Sequence, residues 1–515
     1  MVVLHQFRRY LTKPHVRPWA LLAPVLVLLV CLPLLRPLRH PDPREISDDE
    51  LARLATVESL VERRTLAIDE ASFLPNAGTF RHGDRIYSEQ PPALAVLLAG
   101  PYWIMQRSGL TFDKNPAMVA YLLTLLGATI PVALAAGLIY RMGRLFELPR
   151  RRRALLAAAV AFGSGLVSYG VVLNGHAPAA ALVLAAAACI VHVAISRRPG
   201  VTSGWLAIAG LCASLAAAIE PAAVVFLALF ALAIPAMRWR WPMRTGGVVL
   251  YAMGVAPAVF LHGALVRPIT GDILPPAWHA QFVARANAAT SGGPGAEAPG
   301  LAAPGHATLA AAIMTPSTSS TSSSSSSSTS TSTSTSTMTI TADESDETLA
   351  RASWWTVLGR NLSRLFTALL GDHGIFSHFP VVLLGLFGVA AVMHRHWPTA
   401  TKLLAGGTIA GALAIIAARC VVTPSGAGTM FGPQAFVLFL PLTLFWSGAW
   451  MRRPHGPLKW TLAGCLLLFS TAVTIVGATD PYPRDGYDHY TAAEAAAKLM
   501  HPPPVTPQNA ILAGR

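Results

Sequence analysis

The chain has 515 residues, 53% of them hydrophobic and only 12% charged, with a formal net charge of +14. A water-soluble domain carries about twice that share of charge, so a soluble fold is excluded. The apolar residues fall in runs of about 20, the length of a helix that crosses a bilayer. No basic run is interleaved with aromatics, which excludes a nucleic-acid surface. The five cysteines show neither metal spacing nor a disulfide framework.

The predicted fold class is an all-α polytopic membrane protein of about eleven transmembrane helices, with juxtamembrane helices in its outer loops. In chain order the spans are expected near 19–35, 116–140, 154–173, 177–196, 203–219, 221–237, 246–266, 375–393, 402–420, 431–450 and 459–478. The first run lacks a small-residue cleavage site and reads as a signal anchor. Basic residues cluster at Arg8/Arg9/Lys13/Arg17, Arg141–Arg153, Arg197/Arg198, Arg238/Arg240/Arg244, Arg395/Lys402 and Arg452/Arg453/Lys459. Eleven spans place every one of these clusters in the cytoplasm, as the positive-inside rule requires. The chain is then a multi-pass plasma (inner) membrane protein with its N-terminus cytoplasmic and its C-terminus outside. Pro91–Gln106 is read as a juxtamembrane helix, because a further span there would put Arg150–Arg153 outside. Of the 25 acids only Glu147 then lies inside, so the net charge is a signature of topology.

Four regions follow. Residues 1–266 form an N-terminal membrane module whose first outer loop is 36–115. Residues 267–353 form an outer loop containing a Ser/Thr tract at 315–341, which cannot bury apolar surface and is expected to be disordered. Residues 354–478 form a C-terminal membrane module, opening on an interfacial helix over Trp354–Leu370. Residues 479–515 form an outer tail. No P-loop, Rossmann fingerprint, GxSxG or HExxH motif is present, and the cytoplasmic loops are too short for a nucleotide domain, which argues against an ATP-driven pump.

The candidate chemistry sits in the first outer loop. Ser47-Asp48-Asp49-Glu50 has a structural reading as a capping box, with Asp48 and Asp49 favoured by the helix dipole. It also has a functional reading, because other polar groups are expected on the same side of the membrane. These are Asn174-Gly175-His176, Glu220-Pro221, His262, Gly371-Asp372-His373-Gly374, His378 and Arg419. Carboxylates serve as general bases, and an arginine at the membrane edge holds a lipid phosphate. A polar cavity roofed by the loop would gather them.

Tyr87-Ser88-Glu89-Gln90-Pro91-Pro92 resembles the Y-S-D-K-P-P element of GT-C-type integral membrane glycosyltransferases, which include protein O-mannosyltransferases and aminoarabinose transferases. Leu54–Arg63, Leu173–Pro178 and Gly371–Pro380 are similar to an uncharacterised bacterial branch of these proteins. The resemblance implies a polyprenyl-phosphate-linked sugar as donor, an inverting transfer, and a lipid, glycan or protein acceptor. It implies Asp49, or Asp48 in the alternative register, as the catalytic carboxylate. Gln90, Arg85 and Tyr87 would serve the donor phosphate, and Arg419 is added to them from its position alone. Glu50, Asn174, His176, Asp372 and His373 would line the substrate. No metal ligands are assigned; some members use a divalent ion and others do not. Gln90 stands where the family has lysine, so a leaving-phosphate cation is missing unless Arg419, Arg81 or Arg85 replaces it. Two alternatives stay open: a catalytically inactive GT-C-like membrane scaffold, and a secondary transporter or flippase.

Overall fold

The computed structural model describes residues 18–35, 47–75, 78–195, 204–237, 241–276, 279, 359–371, 374–422, 431–481 and 497. The chain divides into two compact units, Met1–Ala286 with Asn361–Arg515, and Asn287–Arg360. The elements named below belong to the first. Outside the described residues lie the Arg8–Arg17, Arg197/Arg198 and Arg238/Arg240 clusters, 36–46 of the first outer loop, the Ser/Thr tract, Trp354 and Trp355 of the expected interfacial helix, Asp372, His373, and the expected tail apart from 479–481 and 497.

The described chain is mostly helical. α1 is Pro18–Cys31 and α2 is Asp48–Glu58. A two-stranded antiparallel hairpin follows, β1 Thr79–His82 and β2 Arg85–Ser88, with Thr79 opposite Ser88 and His82 opposite Arg85. α3 is Ala93–Arg107, α4 Pro116–Phe146, α5 Arg150–Gly163 and α6 His176–Ile195. α7 is Gly204–Ile219, α8 Val224–Ala233 and α9 Trp241–Thr270. α10 is the short Ile375–His378, α11 Val382–Met393 and α12 Thr399–Val422. α13 Leu440–Phe445, α14 Ser447–Met451 and α15 Pro457–Thr479 complete the unit.

Among the described residues five helices are long and apolar enough to cross a membrane: α4, α6, and the stretches Arg244–Thr270, Thr399–Cys420 and Pro457–Thr479. The helices that end at His378 and begin at Val382 are bent by 94° and make a sixth if counted together. This is the make-up of a multi-pass membrane protein. Two further expected spans are not continuous helices. The run at 154–173 ends at Gly163, because Gly165 takes φ +74° with its α-carbon against the Phe379 ring, where a Cβ would lie 2.5 Å away. Only glycine tolerates both demands. The run at 431–450 is divided into α13 and α14, behind a turn at Gln434–Phe436. α1, α7 and α8 are apolar but shorter than a full span.

Glycine sets the closest helix approach. A Cβ at Gly210 would sit 2.2 Å from the Tyr251 carbonyl oxygen, and one at Gly254 would sit 1.9 Å from that of Ala207. Small residues at such crossings let backbones touch, where lipid supplies no hydrophobic drive between helices. Large apolar side chains stay on the perimeter: Phe260 is 79% exposed, Leu458 80% and Leu468 72%. A surface of that kind suits lipid rather than water.

Candidate functional site

The first loop is built on α2. Ser47 is its N-cap, accepting from the Glu50 N–H at 3.4 Å, and all three acids lie in the first turn, where the helix dipole favours them. The capping expectation therefore holds for the backbone. The Glu50 side chain is directed elsewhere: it is 1% exposed and accepts from the Leu173 N–H at 3.1 Å. It ties the loop to the turn before α6. Farther along, Glu58 accepts from the Ser72 N–H and hydroxyl, and the Tyr102 hydroxyl donates to Glu62 at 2.5 Å. These bonds fold the loop on itself and on α3.

The open end of the hairpin carries Gln90 to Asp49. The Gln90 amide nitrogen donates to Asp49 Oδ1 at 2.7 Å, and its amide oxygen accepts from Arg53 Nη2 at 2.6 Å. Asp49 and Arg53 are four residues apart and so share a helix face. Gln90 bridges them as a neutral link. A lysine could donate to Asp49 but has no acceptor for Arg53. The cation bonded to the Gln90 side chain is thus Arg53. Arg85 is exposed near the hairpin tip, and Tyr87 stacks on Phe80 with ring centres 5.8 Å apart. From Gln90 to Arg85 an extended strand spans roughly 16 Å.

Arg53 is 6% exposed and reaches the loop before α6. A Cβ at Gly175 would lie 3.2 Å from Arg53 Nη2 and 3.3 Å from the Ile219 carbonyl oxygen, so the missing side chain gives the guanidinium its room. Asn174, expected to line a substrate, is occupied with backbone. Its amide donates to the Tyr169 and Val172 carbonyls at 2.5 and 3.0 Å, and its oxygen accepts from the Ala177 N–H at 3.0 Å. It caps α6 and so positions His176.

His176 Nδ1 lies 2.8 Å from Glu220 Oε2. The two side chains lie within ion-pair distance without the geometry of an aligned hydrogen bond. On the ring's other side, Gln434 Nε2 is 3.0 Å from His176 Nε2. An amide donor there leaves the ring proton on Nδ1, facing Glu220. Burial pushes the Glu220 carboxyl up, but His176, Arg419 and Arg53 outweigh it and hold the group below the usual carboxylate range. Glu89 goes the other way: burial raises it, and the Asp49 charge adds to the rise.

Asp49, Gln90, Arg53, Glu220, His176 and Gln434 thus form one connected polar layer, and the charge of Arg419 reaches Glu220 within it. Of the residues picked from sequence, Asp49, Gln90 and His176 belong to this layer and the charge of Arg419 reaches it, while Asp48 and Glu50 adjoin it on α2, Glu50 accepting from the Leu173 N–H. Asp372 and His373 lie outside the described residues. His262 instead contacts the Ile273 carbonyl at 3.1 Å, and His378 is buried against Phe431 and Gly432. Glu220, expected among the polar groups of the outer side, joins the layer as well, and Arg53 and Gln434 complete it without having been chosen from sequence. For Arg53 the available signal was its spacing of four from Asp49. Among the described residues no three of His, Cys, Asp and Glu group so as to hold a metal ion. Consecutive acids on a helix point about 100° apart, so Asp48, Asp49 and Glu50 do not fit a shared ion.

No protein-family model matches the chain, and none of the curated proteins matches it in sequence.

Proposed function

We propose that the chain is a GT-C-like membrane glycosyltransferase, moving a sugar from a polyprenyl-phosphate donor to an acceptor hydroxyl on the extracytoplasmic side. The observation that carries this reading is the Asp49–Gln90–Arg53 relay, which joins the two loop segments resembling the family's catalytic and donor-phosphate elements. In this reading the chain crosses the membrane about eleven times, with the N-terminus cytoplasmic and the first loop outside. The acceptor oxygen attacks the anomeric carbon, the bond from that carbon to the phosphate oxygen breaks, and polyprenyl phosphate leaves with the electron pair. Asp49 takes the hydroxyl proton, with Asp48 as the alternative base. Gln90 orients the carboxylate through Oδ1. Arg53 and Arg419 face the departing phosphate, and a preorganised cation there lowers the barrier by about a few kcal/mol. His176, held by Glu220 and Gln434, lines the acceptor side.

The test is transfer from a polyprenyl-phosphate sugar by purified Asp49→Asn, Asp48→Asn and the double variant. Asp49→Asn is expected to lose at least about 100-fold in rate. Full activity in a folded double variant would end the proposal. A second reading, an inactive scaffold, is favoured by one observation: Gln90 spends both ends of its amide on Asp49 and Arg53, so the relay is satisfied from within. No transfer by the unaltered protein with any polyprenyl-phosphate sugar would favour that reading. Uptake of labelled substrate into proteoliposomes would favour a transporter.

A further inference from the structure

We infer that a groove between α1, α4 and α5 binds an acidic phospholipid of the surrounding bilayer, with an acyl chain along the groove and the phosphate on Arg150 and Arg151. The groove is open and shallow, with a cavity volume of about 50 Å³, and is lined almost wholly by apolar atoms, including Leu22 and Leu26 of α1, Tyr140 of α4, and Ala154, Ala158 and Phe162 of α5. Leu22 and Leu26 are 49% and 45% exposed, so the groove opens on the perimeter that suits lipid. Alanines along α5 keep it open, since larger side chains there would fill it.

Charge at one end selects the occupant. Arg150 and Arg151 precede Ala154 by four and three residues, which puts them on the helix face that carries Ala154 and Ala158. Both are exposed. Arg141 directly follows Tyr140, and the Arg153 guanidinium lies over the Tyr140 ring at 4.7 Å. The basic end and the apolar groove are therefore continuous through Tyr140. The first turn of α5 holds four arginines and no acid, and no side chain caps it. Cations at that position oppose the helix dipole and repel one another. The nearby acid, Glu147, is paired with Arg452 at 2.5 Å. An anionic headgroup would relieve the repulsion while its chain fills the groove, the pattern expected of basic pockets between membrane helices. The inference rests on membrane insertion alone and does not need the transferase reading.

Lipid retention by the full-length protein tests it. The protein is purified in detergent with phosphatidylglycerol and phosphatidylcholine in equal amounts, and bound lipid is counted by native mass spectrometry. The unaltered protein is expected to retain phosphatidylglycerol preferentially. Arg150→Gln/Arg151→Gln should lower that preference by about 30-fold, roughly fivefold per arginine. Ala158→Phe should displace the lipid while leaving all charges in place. Arg395→Gln/Lys402→Gln removes the same charge at another cluster and should change nothing. Equal retention of the two lipids by the unaltered protein overturns the proposal without any variant. An equal loss in the Arg395/Lys402 control also overturns it, since the attraction would then be general surface charge.

Discussion

Replacing Arg53 by alanine tests the polar layer at its centre. The guanidinium donates to Gln90 at 2.6 Å, is almost fully buried, and helps to hold down the Glu220 carboxyl. A hydrogen bond to a charged group contributes about 1.5–3 kcal/mol. Removing one member of a buried charged set costs about 3–5 kcal/mol when nothing else compensates. Here His176 and Arg419 remain beside Glu220, so the expected loss is about 2–4 kcal/mol. Unfolding of the full-length protein in detergent measures it. A double-mutant cycle with Gln90→Ala isolates the pair, with an expected coupling of about 1–2 kcal/mol. Acid provides a second readout. Glu220 is held below its ordinary range, so its contribution to stability is present above the unfolded carboxylate value and is lost as pH falls through the folded value. Without Arg53 the folded value rises, the contribution shrinks, and what remains is lost at a higher pH. Arg53→Lys retains the charge but not the planar fork, so it should keep the acid behaviour and lose most of the coupling. A coupling under about 0.3 kcal/mol, together with an unchanged acid transition, would refute the relay.

Other outcomes follow from the same contacts. Gln90→Lys removes the acceptor for Arg53 and sets two cations side by side; a loss of about 1–3 kcal/mol is expected, largely restored by adding Arg53→Gln, both read from detergent unfolding. Gly254→Ala drives a methyl group into the Ala207 carbonyl oxygen and should cost about 1–3 kcal/mol or more. Gly246→Ala meets open space and should be neutral or slightly stabilising, which makes it the matched control in thermal melts. Tyr169→Phe deletes the hydroxyl that donates to the Phe431 carbonyl and leaves that oxygen buried, for about 1–2 kcal/mol in the same assay.

Hydropathy made the helices legible, because a run of about 20 apolar residues has few alternatives to a membrane helix. α4, α6 and α15 begin and end close to where the runs do. Breaks inside runs were harder to see. Gly163-Ser164-Gly165 reads as apolar in any hydropathy window, and the chain turns there because Phe379, from the distant break between α10 and α11, occupies the space over Gly165. The candidate site divides in the same way. Asp49, Gln90 and His176 stood out as polar groups beside apolar runs. Asn174 stood out for the same reason, yet its amide is spent on capping α6.

The amino-acid sequence by itself determined that this chain is helical and apolar, and that its acids and arginines collect between the runs, since hydrophobicity and helix period are local properties. Only the tertiary structure decided which polar groups meet. Arg53 contacts Gln90 across 37 positions, and Gln434 reaches His176 across 258. Such pairings depend on how helices cross, and crossing is set by close approach at glycines and by buried charges finding partners, neither of which has a local signature. The neutral Gln90 shows the difference: alone it is a missing cation, and beside Arg53 it is the link that carries one.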